Sequence, residues 1–249
     1  MSSSNTLLAS HPQACCFTGF KHTGNATGHT VPLGGMDTYI SGDDAHPRVI
    51  LYFCDVFGPG YINNQLIMDY FASLGFLVLS PDYFFNDPIQ NHQDNPNHDR
   101  QAWVSKTKAQ AAAATPKWIE AVKNKYGEEV KYSAVGYCFG APYVMQLAAT
   151  DDIVAAAIAH PSSLSEDDFR KVKQPLLLSC AETDRAFPTP SRRAAEDILV
   201  EKSAKYHFQV FSGVSHGFAV RGDEKNPDER WAKEESARGI GAWFTRFST

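Results

Sequence analysis

Short apolar runs alternate with amphipathic stretches along most of the chain. The run Val49–Cys54 ends at a turn signal, Phe57-Gly58-Pro59-Gly60, and this pattern predicts a buried strand followed by a loop. From Leu66 to Leu74 the apolar residues recur at helical spacing, and Gly75 ends the predicted helix.

The same alternation continues to the end of the chain. It predicts strands over residues 76–80, 131–136, 154–160, 175–180 and 206–211, and helices over 103–126 (divided near Pro116), 141–150, 194–202 and 229–247. The polar stretch 83–100 is predicted to be a long loop. Alternating strands and helices indicate an α/β fold with a mainly parallel sheet and helices on both faces. Ligands bind such sheets at the carboxyl ends of the strands, so functional residues are expected directly after them.

The organisation and charge of the chain narrow the class of protein. Residues 1–30 lack periodicity and are predicted to form an irregular arm. Residues 31–249 are predicted to form a single α/β domain. The net charge of −5 and the lack of a basic run argue against nucleic-acid or membrane partners. With no secretory start and an odd number of cysteines, five, the sequence predicts a cytoplasmic protein.

A cysteine follows the strand predicted at 131–136. Gly136-Tyr137-Cys138-Phe139-Gly140 has the form of a nucleophile elbow in which Cys replaces Ser. A sharp turn from strand to helix strains its corner residue and crowds its neighbours, and the two glycines relieve that crowding. We therefore predict that Cys138 is the nucleophile and that the N–H of Phe139 donates to an oxyanion. The alternative is a buried structural cysteine between packing glycines.

Two later strand ends offer partners for this thiol. His216 follows the strand predicted at 206–211 and lies between glycines near the end of the chain. Asp184 follows the strand at 175–180, so the order is nucleophile, acid and histidine, as in α/β hydrolases. Asp184 is predicted to orient the base His216. Glu182 is a rival for that role.

With these residues assembled, the chain resembles the dienelactone hydrolase family of α/β hydrolases over roughly residues 30–247. The resemblance depends on the Cys elbow, the segment Phe53–Gly58, the acid loop ending Asp184–Pro188, and Val214–Ala219. The arm, with Cys15 and Cys16, looks like the fungal branch of the family, although we interpret both thiols as packing residues.

The resemblance implies further roles. Cys138, Asp184 and His216 match the triad positions, and the N–H of Val56 is implied as the second oxyanion donor. Asp55 matches a Glu that in bacterial members helps to activate the cysteine, and the alternative is that Asp55 caps its loop. Arg221 could match one of two substrate-binding arginines in bacterial members.

The second of those arginines has no counterpart in this chain. Its region reads Pro81-Asp82-Tyr83-Phe84-Phe85, and Tyr83 and Phe84 favour an aromatic or apolar acyl group. We therefore expect an enzyme that opens a lactone or cleaves a carboxylic ester through a thioester. A larger aromatic or polyketide-derived lactone is as plausible a substrate as the small dienelactone acid.

Other readings of the same site stay open at this point. They are a general esterase or thioesterase, and a non-catalytic binding protein regulated through its thiol. No cofactor and no metal is predicted, since the His- and Asp-containing segment 91–99 has no regular ligand spacing. A small-molecule substrate and a monomer or homodimer are expected.

Overall fold

The computed structural model describes residues 5–45 and 48–249. Within them the chain forms ten strands, β1 Leu7–Ala9, β2 His29–Leu33, β3 Met36–Ser41, β4 Arg48–Phe53, β5 Leu77–Pro81, β6 Lys131–Tyr137, β7 Ala155–Ala159, β8 Leu164–Ser165, β9 Leu176–Thr183 and β10 Tyr206–Ser215. It also forms seven α-helices, α1 Ile62–Ser73, α2 Arg100–Tyr126, α3 Ala141–Ala148, α4 Glu166–Arg170, α5 Thr189–Glu201, α6 Phe218–Arg221 and α7 Pro227–Ser248. Short 3-10 helices cover Ala14–Phe17, Ile89–His92 and Cys138–Gly140.

Eight strands form one sheet in the order β10-β9-β7-β6-β4-β5-β3-β2. The six strands from β10 to β5 pair in parallel, and β3 and β2 extend that sheet with antiparallel pairing. This arrangement confirms the predicted α/β fold with a mainly parallel sheet. The β2–β3 hairpin is not predicted, because β2 carries mostly exposed residues and so lacks an apolar run.

Helices cover both faces of the sheet. Successive residues of a strand point to opposite faces, and all five residues of β7 are buried. Four of those five are alanine, which lets α3 and α7 pack closely against the strand. Among the described residues, no helix combines the length and the apolar character needed to cross a bilayer.

Helix α2 runs unbroken through Pro116, so the predicted division there is wrong. Proline removes one hydrogen-bond donor, but residues on either side of it, Thr115 and Trp118, are buried and hold the two halves in line. The indole N–H of Trp118 donates to the Thr38 hydroxyl at 2.9 Å. Tertiary packing therefore outweighs the local cost of the proline.

The N-terminal arm lies across loops that follow three strands of the sheet. Its strand β1 pairs antiparallel with β8, so the arm is less irregular than predicted. The N–H of Ser10 donates to the carbonyl of Ala186, and the N–H of Phe20 donates to that of Arg221, at 2.8 and 3.0 Å. These contacts place the arm over the carboxyl end of the sheet. Residues 1–4 of the arm lie outside the described residues.

Candidate active site

Cys138 occupies the corner between β6 and the helical turn that follows. Its φ is 49°, a left-handed value that is uncommon for a residue with a side chain. A Cβ added at Gly136 would lie 2.7 Å from the carbonyl oxygen of Gly140, and one added at Gly140 would overlap the carbonyl of Phe53. Both glycines are therefore required by close backbone approach, and the turn has the form of a nucleophile elbow.

Three of the predicted side chains meet at this corner. Sγ of Cys138 lies 3.2 Å from Nε2 of His216, and both oxygens of Asp184 lie 2.9 Å from Nδ1 of the same ring. Asp184 also accepts hydrogen bonds from the N–H groups of Ala186 and Phe187, which fix its carboxylate. The rival acid Glu182 is exposed and accepts from the N–H of Gly213 instead.

A second thiol contacts the same imidazole nitrogen. Sγ of Cys16, from the arm, lies 3.2 Å from Nε2 of His216, and Cys16 is fully buried. Cys16 packs in the buried core as interpreted, and its sulfur also reaches His216, which the sequence did not predict. The sequence signal was the Cys15–Cys16 pair, but an arm without periodicity gives no means of placing it on the sheet.

Burial and neighbouring side chains shift the pKa values of the residues that meet at this corner. Burial alone would lower the pKa of His216, but Cys16 and the Asp184 carboxylate outweigh it and raise that pKa well above its usual value. A hydrogen bond with Cys138 raises the pKa of the Cys16 thiol. Because an imidazole nitrogen offers one lone pair or one N–H, Cys16 and Cys138 compete for His216.

His160 is a neighbour of the base that the sequence did not reveal. It lies directly after β7, is fully buried, and its ring meets that of His216 edge to face with centroids 5.0 Å apart. Burial, with a smaller contribution from His216, lowers the pKa of His160 well below its usual value. A neutral ring here adds bulk beside the base without adding charge.

Asp55 and Arg221 form a buried ion pair beside the elbow, with 0% and 1% of their side chains exposed. Nε of Arg221 also donates to the Thr18 carbonyl at 2.9 Å, and its guanidinium lies over the ring of Phe57. These contacts hold Arg221 within the protein, and its role in binding substrate stays a prediction. Asp55 also accepts from the Asn64 amide at 3.0 Å, so it does more than cap a loop.

The two predicted oxyanion donors flank the corner. Val56 follows β4 in a turn closed by a hydrogen bond from the N–H of Gly58 to the carbonyl of Asp55. Phe139 is the second residue of the 3-10 helix, where the first N–H groups have no acceptor within the helix. Both residues are buried.

Tyr83 and Phe84 lie behind this corner rather than in an open pocket. Both are almost fully buried; the hydroxyl of Tyr83 donates to the Cys54 carbonyl, and Phe84 stacks on Trp103. The ring of Phe139 contacts both, with centroids 5.5 and 5.1 Å away. These aromatic residues therefore support the loops that carry the oxyanion donors.

A sequence profile decides the family. The profile of the dienelactone hydrolase family matches residues 36–248. The chain belongs to the dienelactone hydrolase family. It is thus a hydrolase of the α/β-hydrolase fold, as the resemblance implied.

Similar proteins align with nearly the whole chain. It is 37% identical over 248 residues to "Dienlactone hydrolase 1" of Gibberella moniliformis, covering 96% of this chain and 95% of that protein. It is 31% identical to "Hydrolase tropI" of Talaromyces stipitatus, with coverage of 96% and 98%. A crystal structure of a putative dienelactone hydrolase from Klebsiella pneumoniae superposes with a TM-score of 0.72 at 18% identity, over 90% of this chain and 99% of that one. The curated fungal relatives extend through the arm that carries Cys16.

Proposed function

We propose that the protein hydrolyses a lactone or carboxylic ester through a thioester on Cys138. The observation that carries this proposal is the contact chain from Sγ of Cys138 through His216 to Asp184, at 3.2 and 2.9 Å. A thiol needs a base to form its nucleophilic thiolate, and the base needs an acid to hold its tautomer. The family membership supports ester and lactone substrates.

The first step forms the thioester. His216 takes the proton of Cys138, and the thiolate attacks the carbonyl carbon, whose oxygen becomes negative. The N–H groups of Val56 and Phe139 donate to this oxyanion. When the tetrahedral intermediate collapses, the ring C–O bond breaks, and protonated His216 returns the proton to the departing oxygen.

The second step releases the acid. His216 takes a proton from a water molecule, which attacks the thioester carbonyl, and the Cys138 sulfur leaves as thiolate and is reprotonated. Asp184 stabilises the imidazolium formed in both steps. The Asp55–Arg221 pair acts as a positioning element, since Asp55 fixes the turn that presents Val56.

A cleft lies along the arm, and none of Cys138, Asp184 and His216 is among its lining residues. It has a volume of about 760 Å³, lies between the arm and α2, and is lined by Phe17, Val104, Arg100 and Lys108 among others. Phe17 directly follows Cys16, which contacts the base. Lys108 donates to Ser163, the neighbour of Ser162, whose hydroxyl lies 4.0 Å from the Cys138 sulfur. The proposal of a larger, aromatic or polyketide-derived lactone therefore rests on the segment Pro81–Phe85, which lacks the second arginine expected for a small dienelactone acid.

The experiment that tests the reaction compares Cys138→Ala with Cys180→Ala on dienelactone and on aryl lactones. Cys180 is a second buried free thiol, on β9, and serves as the matched control. We expect Cys138→Ala to lose about three orders of magnitude or more in kcat/KM, because triad members act as a unit, while its circular dichroism matches the wild type. Retention of more than about a tenth of wild-type activity would reject the mechanism.

The same assays identify the class of substrate. A higher kcat/KM for dienelactone than for any aryl lactone would contradict the larger substrate, and broad activity on simple esters would favour a general esterase.

We propose that the protein works in the cytoplasm as a monomer or homodimer without nucleic-acid or membrane partners, and that 31–249 is one domain covered by the arm. The five cysteines form no disulfide bond among the described residues, which supports the cytoplasmic setting, and the net charge of −5 supports the lack of nucleic-acid and membrane partners.

A further inference from the structure

Four soft donor groups converge where the arm meets the triad. The sulfur atoms of Cys15 and Cys16 and a ring nitrogen of His216 all lie within 4.8 Å of one another. Sγ of Cys138 lies 3.2 Å from Nε2 of the same ring. Three cysteines and one histidine form a donor set typical of zinc sites in proteins.

Two sulfur–nitrogen distances at His216 suit a tetrahedral metal ion, although Cys138 lies outside the group of three donors that are mutually within 4.8 Å. With Zn–S near 2.3 Å and Zn–N near 2.0–2.1 Å, a tetrahedral angle separates sulfur from nitrogen by about 3.6 Å. Both Cys16 and Cys138 lie 3.2 Å from Nε2 of His216. An outward shift of a few tenths of an ångström at these two sulfur atoms would therefore admit the ion beside His216, and Cys15 would move toward Cys138 to complete the tetrahedron.

The imidazole is already oriented as a metal ligand. Asp184 accepts from Nδ1 of His216 at 2.9 Å, which turns Nε2 toward the two sulfur atoms, where a cation would displace the proton of that nitrogen and take its lone pair. A carboxylate behind a coordinating histidine is the usual supporting arrangement at zinc sites. Without a metal, Nε2 can satisfy only one of the two thiols, whereas a cation bonds to all three donors at once.

We propose that Cys16, Cys138 and His216, with Cys15 as fourth ligand, bind one thiophilic divalent cation such as Zn²⁺, and that the bound ion blocks the nucleophile. The ion would occupy a lone pair of the Cys138 sulfur and the Nε2 lone pair of His216, so neither could act on a substrate. The arm thereby supplies the ligands that turn a hydrolytic pair into a metal site. The blocking part of the proposal rests on the proposed function, but the binding part does not.

Charge balance favours the ion in this buried setting. Binding releases a proton from each coordinating thiol, and the two thiolates of the fully buried Cys16 and Cys138 cancel the charge of the cation. The third thiolate, from the partly buried Cys15, leaves one net negative charge on the more exposed side of the site, where solvent lowers its desolvation cost. Cys15 is only partly buried and gives the ion a route from solvent.

The test uses the full chain, reduced and freed of metal. Zn²⁺ is titrated in competition with a chromophoric chelator, and Co²⁺ is used as a spectroscopic substitute in which thiolate ligands give charge-transfer absorption. We expect one ion per chain and a tetrahedral, thiolate-containing Co²⁺ spectrum. Cys16→Ser should weaken Zn²⁺ binding by about 100-fold or more, because it removes a direct ligand where outer-sphere changes alone cost 10–100-fold. The control Cys180→Ser, at a buried thiol on β9, should bind as the wild type does.

Equal Zn²⁺ affinity in Cys16→Ser and wild type would overturn the proposal, as would a Co²⁺ spectrum without thiolate absorption in the wild-type chain. The wild-type spectrum decides the matter even if Cys16→Ser does not fold. Affinity and spectrum need no substrate. A protein that binds Zn²⁺ through these thiols but hydrolyses no ester would refute the proposed function alone.

Discussion

The buried ion pair between Asp55 and Arg221 gives a quantitative prediction about stability. Asp55→Ala leaves the Arg221 guanidinium without its carboxylate in a site where neither side chain is more than 1% exposed. Arg221→Met leaves the carboxylate of Asp55 without its cation. Each single substitution therefore strands a buried charge.

The expected cost of each single change is large. Removing one partner from a buried pair costs about 3–5 kcal/mol, against a total stability of about 5–15 kcal/mol for a domain of this kind. The Arg221 change also loses the bond from Nε to the Thr18 carbonyl, so we expect it to be the costlier of the two. The double variant removes both charges and should lose much less than the sum of the single changes.

Urea unfolding, followed by tryptophan fluorescence, measures all four members of this double-mutant cycle. We expect a coupling free energy of about 2–3 kcal/mol, in the upper part of the range seen for contacting residues. Additive losses, with a coupling below about 0.5 kcal/mol, would refute the ion pair as an interaction that supports the oxyanion loop. The double variant should also hydrolyse ester more slowly than wild type, since Asp55 fixes the turn before Val56.

Three further changes test other parts of the structure. Gly140→Ala places a Cβ against the Phe53 carbonyl and should cost about 1–3 kcal/mol and most activity, whereas Gly60→Ala, with open space around it, should stay within about 0.5 kcal/mol. Asp184→Asn should lower kcat by about 10³–10⁴-fold in steady-state assays with an unchanged fold, because the amide fixes the wrong tautomer of the base; a loss under tenfold would contradict this. Burial lowers the pKa of His22. Below about pH 6.5, His22 is therefore protonated in the unfolded chain while it is still neutral in the folded chain. The free energy of unfolding should therefore decrease as the pH is lowered through this range. In urea titrations, its slope against pH should be shallower in His22→Gln than in wild type by up to about 1.4 kcal/mol per pH unit; identical slopes would contradict a lowered pKa of His22.

The sequence sufficed where local pattern and tertiary role coincide. The apolar run of β4 and the strand before Cys138 predicted the parallel sheet, because strands buried on both faces are apolar at most of their positions. The order of Cys138, Asp184 and His216 then placed three side chains at strand ends that a parallel sheet brings to one edge. The structure brings these three together as that reasoning required.

Contacts made by irregular backbone were beyond the sequence. Cys16 reaches His216 only because the arm folds across the sheet edge, and nothing in its local pattern specifies that path. The pairing of Arg221 with Asp55 was likewise not predicted, because it depends on how the short helix α6 is placed against the loop after β4. The β2–β3 hairpin was missed because an edge with an exposed face gives little apolar signal.

The most direct test of the central claim is the mass of a trapped acyl-enzyme. The full chain is quenched in acid during turnover of a slowly hydrolysed aryl lactone, digested, and analysed by mass spectrometry. We expect the acyl mass on the peptide that contains Cys138, and we expect no such mass in the Cys138→Ala variant. An acyl group on Cys16 instead, or rapid turnover in the Cys138→Ala variant, would contradict it.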